Sequence, residues 1–183
     1  MNINVAFEQT FSFNPNNIIA PNGTIFTFWF PNDGILNHSV TQSGFDNPCT
    51  HLESIDDSPT VFDSGLVGGV QFSINITDDS QRTHLFNCKQ VLHCGMGMVG
   101  VINAPTSGNR TFEAFTSAAV SLGVNQPTET DQGFVFGGVG AEATAASATR
   151  DSEPDAGGSA VKSGIVPWMS VLILGVLSGL LGL

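Results

Sequence analysis

The sequence predicts an all-β fold, a sandwich or barrel, over residues 1–104. Three observations lead there. Short runs rich in Phe, Val, Ile and Thr recur along this stretch. Clusters of Pro, Asn, Asp and Gly separate them. No long helical pattern interrupts them.

The elements follow in order. Residues 4–13 hold short alternating stretches, and Asn14-Pro15-Asn16-Asn17 makes a turn. Ile18 and Ile19 lead to a second turn at Pro21-Asn22-Gly23. Residues 24–30, Thr-Ile-Phe-Thr-Phe-Trp-Phe, are β-branched and aromatic throughout and end at Pro31-Asn32-Asp33-Gly34. A short strand is expected over 38–42, and a long polar loop with at most one helical turn over 47–65. Residues 70–76 alternate, with Val70, Phe72, Ile74 and Ile76 facing inward. The last two strands fall at 83–87 and 98–103. Residues 111–122 read as a helix capped by Thr111, with Phe112, Phe115, Ala119 and Leu122 on one face.

Composition then divides the chain. Residues 1–104 form the β domain and 105–124 a short helix packing on it. Residues 125–164 are small, polar and acidic and are expected to be a disordered stalk. Residues 165–183 are almost wholly apolar and uncharged. They are just long enough to span a bilayer, yet no Lys or Arg follows them, as a single-pass anchor would usually require. Small residues at 156–160 and a short spacer precede them, the pattern of a signal exchanged for a glycosylphosphatidylinositol (GPI) anchor, with residues 155–158 all open as the attachment site. A retained tail anchor is the alternative. Such a protein enters the secretory pathway, but Met1-Asn-Ile-Asn-Val-Ala-Phe lacks a basic and then apolar leader. The start is therefore read as truncated or misassigned.

The net charge is −11 with only five Lys plus Arg. Nucleic acid is excluded as a partner, because phosphate binding needs clustered cations; the acidity serves solubility. Four sequons, at Asn22, Asn37, Asn75 and Asn109, agree with secretion and N-glycosylation. Three cysteines in a secreted protein suggest one disulfide and one thiol with another task.

Residues 88–98 read Cys-Lys-Gln-Val-Leu-His-Cys-Gly-Met-Gly-Met. One short loop thus offers a thiolate at Cys88, an imidazole at His93 and a thioether at Met96 or Met98. A second imidazole, His38, stands upstream. One Cys, two His and a weak Met form the ligand set of a mononuclear blue-copper site. Thiolate and thioether suit the cuprous ion and imidazole the cupric ion. Zinc also accepts Cys and His, but a thioether is a poor zinc ligand. His51 and His84 lie outside this pattern and are read as surface residues.

The Cys-x4-His-x4-Met spacing resembles the cupredoxins. It is most similar to the phytocyanin branch, where the ligand His is followed directly by Cys and then by a Gly-Met pair, here His93-Cys94 and Gly97-Met98. The segments 38–43, 47–50 and 62–65 look like those of fungal secreted cupredoxin-like proteins, often lipid-anchored. The resemblance covers residues 3–122. It implies a Greek-key β-sandwich, copper held by His38, Cys88, His93 and Met98, and a disulfide from Cys94 to Cys49. It selects Met98 over Met96. One departure is Ser39, where many of these proteins carry an Asn that braces the two ligand loops.

The expected function is single-electron transfer by a cell-surface, monomeric copper protein held to the membrane by its lipid, with a protein or small-molecule redox partner. A wall protein that keeps the fold without redox use is the alternative. A fragment of a multicopper oxidase is disfavoured, since no His-x-His pair occurs and no enzyme activity is expected.

Overall fold

Alternating aromatics build the first sheet. A computed structural model of the chain describes residues 1–52, 61–78, 80, 82–134, 137–138 and 140–145. In β4 (Ile25–Trp29), Phe26 and Phe28 are fully buried. β6 (Gln71–Ile76) pairs antiparallel with it, placing Ile74 opposite Phe26 and Phe72 opposite Phe28. β1 (Asn2–Val5) runs parallel to β4 on its other side, and β2 (Phe13–Asn14) runs antiparallel to β1. β9 (Ala141–Ala145) covers the far edge of β6, giving the order β2-β1-β4-β6-β9.

The second sheet has the order β3-β8-β7-β5. Its strands are β3 (Asn17–Ile18), β5 (Thr41–Ser43), β7 (His84–Asn87) and β8 (Val99–Ile102). β3 is parallel to β8; the other pairings are antiparallel. Phe86 of β7 meets Phe28 edge-on at 5.3 Å and Phe13 at 5.0 Å between ring centroids, so the core lies between the sheets. Each fully buried side chain of this size contributes about 1.5–3 kcal/mol. Gly100 lies opposite Phe86 because a Cβ there would stand 2.3 Å from the ring.

Alternation sends Leu85, Val99 and Val101 to the sheet's other face. There α1 (Phe112–Leu122) covers them with Phe115 and Ala119, while Phe112 and Leu122 are half-buried at the margin. Thr111 caps the helix, its Oγ1 accepting from the Ala114 amide at 3.2 Å. The second sheet is thus buried on both faces. That overturns the surface reading of His84. It shares the inward face of β7 with Phe86 and is 1% exposed, and a Cβ at Gly140 would touch its ring at 2.9 Å. His51 also departs from a surface residue: it is half-buried, bridges to Ser43, and its amide donates to Glu129.

The stalk expectation needs correction at its N-terminal part. Gln126 is buried. Asp131 accepts from the Leu66 amide at 3.2 Å. Phe134 packs edge-on to Phe72 at 5.4 Å. Ala141–Ala145 then forms β9. An open β6 edge would present unpaired amides and carbonyls, and alternating alanines suit that edge. Val61, Phe62, Asp63 and Ser64, expected in a polar loop, are buried as well. The attachment region and residues 165–183 lie outside the described residues. Among the described residues no helix is long and apolar enough to cross a membrane.

Candidate metal centre

Cys88 follows the last residue of β7, so the strand delivers its sulfur to one end of the second sheet. Its amide donates to the Met98 carbonyl at 3.1 Å, and the Met98 amide donates to the His93 carbonyl at 2.9 Å. These bonds close the 88–98 loop into a compact turn. His93 enters a 3-10 turn over Cys94–Met96. His38 arrives before β5, held in a two-way backbone pair with Val67 at 3.0 and 2.9 Å. The expected strand therefore starts later than predicted, and His38 is fixed by a local bridge.

These segments bring three ligand atoms together. Cys88 Sγ lies 3.5 Å from His93 Nδ1 and 4.0 Å from His38 Nδ1. All three ligand atoms fall within 4.8 Å of one another, and all three residues are buried. The two imidazole rings stand 4.9 Å apart between centroids. Met98 is fully buried, whereas Met96 is 58% exposed. The two methionines that the loop offers thus differ in burial.

Burial also sets the charge state. It lowers His38, with Asp33 acting weakly against it. It lowers His93 to about 4, helped by the neighbouring His38. It raises the Cys88 thiol to about 11, although the Ser39 and Gln90 backbones oppose this. Three neutral groups thus face one another, with no cation or anion of their own. A soft or borderline metal cation satisfies such a set by displacing the thiol proton.

Bracing around the ligands is extensive. The Ser39 amide donates to Cys88 Sγ at 3.3 Å, and the Lys89 amide donates to Ser39 Oγ at 2.8 Å. Ser39 therefore does tie the two ligand segments. Cys49 and Cys94 are disulfide-bonded, S–S 2.00 Å, and Cys88 is the free cysteine. Behind the loop, the Gly95 amide donates to Gln126 Oε1 at 2.7 Å, and Gln126 Nε2 donates to the Gln90 carbonyl at 3.3 Å. Gly95 is required by close approach: a Cβ would stand 2.1 Å from the Gly123 carbonyl oxygen. Phe11 lies over His93, with centroids 4.4 Å apart.

Sequence reasoning missed Gln126, Phe11 and the buried pair Lys89–Asp63. A faint signal existed for one of them: in a chain with five cations, one directly follows the candidate thiolate. The four sequons differ in setting. Asn22, Asn37 and Asn109 are exposed, while Asn75 is half-buried inside β6, between Ile25 of β4 and Glu142 of β9.

A two-sheet β-sandwich that gathers two imidazoles and a thiol at one end of a sheet defines a class: proteins with a mononuclear metal site built from one cysteine and two histidines. No protein-family model matches the chain. It is 34% identical over 161 residues to "Probable GPI-anchored cupredoxin-1" of Arthroderma benhamiae, covering 87% of this chain and 79% of that protein. The chain belongs to the cupredoxins. It is also 32% identical over 126 residues to "Extracellular serine-rich protein" of the same organism, covering 68% of this chain but only 47% of that protein. Among solved structures it is similar to a dithionite-reduced auracyanin from Roseiflexus castenholzii, with TM-score 0.41 and 18% identity over 55% of this chain and 92% of that one. A pseudoazurin from Sinorhizobium meliloti gives TM-score 0.36 and 15% identity over 66% of this chain and 92% of that one.

Proposed function

We propose that the protein is a cell-surface type 1 copper protein that passes single electrons, with His38, His93 and Cys88 as the strong ligands and Met98 as the weak axial one. The observation that carries this reading is the convergence of two Nδ1 atoms and one Sγ in a buried site. The donor set fits copper: a thiolate for the cuprous ion, imidazoles for the cupric ion, and a buried thioether in the same loop. Copper, when bound, supplies one-electron redox chemistry. The chain's own part is to hold the ligands still. The disulfide, the Ser39 brace and the Gln126 clamp each fix the ligand loop from a different side, which keeps reorganisation small when the charge changes.

The name of the 34%-identical relative supports a GPI anchor, and the second relative's name supports an extracellular setting. Both agree with the sequons, of which Asn22, Asn37 and Asn109 are the accessible acceptors. The redox partner is a protein or a small molecule.

Visible absorption of the copper-loaded protein tests the reading. A strong thiolate-to-copper band is expected, and Cys88→Ser should abolish it while the protein stays folded. His38→Ala and His93→Ala should each weaken copper binding severely. Colour retained in Cys88→Ser would refute the ligand assignment, and a folded wild type that takes no copper would favour a structural wall protein.

A further inference from the structure

The ligands rest on a buried polar circuit that metal binding itself does not require. The Lys89 side chain is 1% exposed, with Nζ 2.6 Å from Asp63 Oδ2 and 2.8 Å from Asp131 Oδ1. Asp63 is also buried, and its Oδ1 accepts from Thr41 Oγ1 and from the Gly65 amide, both at 3.0 Å. Thr41 Oγ1 lies 2.8 Å from Ser39 Oγ, which accepts from the Lys89 amide at 2.8 Å. The circuit therefore closes on itself, from the Lys89 ammonium through Asp63, Thr41 and Ser39 back to the Lys89 backbone.

The proton directions in it are fixed. A carboxylate only accepts, so Thr41 spends its single O–H on Asp63. Ser39 must then donate its own O–H to Thr41 while accepting from Lys89. The Ser39 hydroxyl is held in one orientation, and its amide points at the Cys88 sulfur at 3.3 Å. A buried ion pair adds little net stability, because desolvation offsets the attraction. Its placement one residue from the thiolate therefore calls for a role at the site.

We propose that Lys89 and Asp63 are a positioning pair that orients Ser39 toward the Cys88 sulfur and sets the field at the copper, so that they tune the reduction potential. The proposal rests on the copper reading above. Lys89 and Asp63 touch no metal; they act through Ser39 and through their charges.

Redox titration of the copper-loaded full chain against a reference couple tests the field. Asp63→Asn removes a negative charge and should shift the electron-exchange equilibrium toward the cuprous state. Lys89→Gln removes a positive charge and should shift it toward the cupric state. Each shift should be about tenfold, the order expected when a unit charge is removed close to a partly buried site. The Lys89→Gln/Asp63→Asn double variant and Lys89→Arg should stay near wild type. A purely structural role would move both single variants the same way. Asp63→Asn keeps the side chain's volume and, through Oδ1, the bonds from Thr41 and the Gly65 amide, giving up the one from Lys89, so its shift decides the matter if Lys89→Gln fails to fold. Hydrogen exchange on copper-free protein tests the positioning: the Ser39 amide should exchange at least about tenfold faster in Lys89→Gln and stay protected in Lys89→Arg. Shifts of the same sign, or unshifted variants of a blue wild type, would overturn the proposal alone. A wild type without the blue band would overturn the copper reading first.

Discussion

A thiol buried between two neutral imidazoles must lose its proton before it can bind a metal. Cys88 stands at about 11 in the copper-free protein, so at neutral pH copper uptake should release one proton. Calorimetry in two buffers of different ionisation enthalpy would count it. Apparent affinity should fall about tenfold for each pH unit of acidification below that value, and more steeply below about 4, where His93 also takes a proton. The same histidines govern acid stability. His93 is depressed in the folded state, so the unfolded chain binds its proton near pH 6.5 and the native chain only near 4. Copper-free protein should therefore lose a few kcal/mol as pH falls through that window, with His38 adding in the same direction. Thermal melts across pH 7 to 4 would show a declining Tm, and with copper bound the decline should be steeper, because the stabilisation that copper adds shrinks as its affinity falls. The two methionines separate at this scale as well. Met98→Gln should keep copper but lower the potential, because a harder axial oxygen favours the cupric state. Met96, 58% exposed, should tolerate the same change with little effect. Voltammetry of the two variants checks this, and the reverse outcome would make Met96 the axial ligand.

The ligand turn over Cys94–Met96 is held by elements far from it in sequence. The Cys49–Cys94 bridge spans a separation of 45 residues. By the chain-entropy argument such a bridge contributes about 4 kcal/mol. It also fixes the backbone beside His93. Thiol counting on denatured, copper-free protein should find one reactive thiol, Cys88, and three would refute the pairing. Cys49→Ala/Cys94→Ala should lower stability by several kcal/mol and weaken copper retention, read by chemical denaturation and a chelator challenge. Helix α1 contributes from the other side. Its end brings Gly123 against Gly95 so closely that a methyl group there would collide with the Gly123 carbonyl. The helix is thus a back wall for the ligand loop as well as a cover for the sheet.

For the whole molecule, the body extends past the helix. Gln126, Asp131, Phe134 and β9 all attach to the sandwich, so any spacer to a lipid anchor begins later than composition suggests. A phosphatidylinositol-specific phospholipase should release the mature protein from the cell surface, since the apolar tail would have been exchanged for lipid. Mass spectrometry that finds a Trp168-containing peptide in the mature protein would instead show a retained tail.

What the sequence determined by itself is local or periodic. Alternation in residues 70–76 and the aromatic run at 24–30 announce strands, because side-chain direction repeats every two residues. Thr111 before an apolar helical face announces α1. The donors in residues 88–98 are close in the chain, so their spacing alone exposes three ligands of the proposed set. The tertiary structure decided what chain distance conceals. His84 looked superficial because one polar residue in a strand carries no sign that its side chain faces inward with Phe86 and is covered by the Gly140 segment. Residues 141–145 looked like part of a stalk because small polar residues have no hydrophobic period, yet a sheet edge recruits them through backbone hydrogen bonds, which any sequence can supply. The difference in burial between Met98 and Met96 is set by the fold, and the Lys89–Asp63 circuit exists because three segments meet behind the thiol. Such contacts depend on long-range packing, and no short window of sequence contains them.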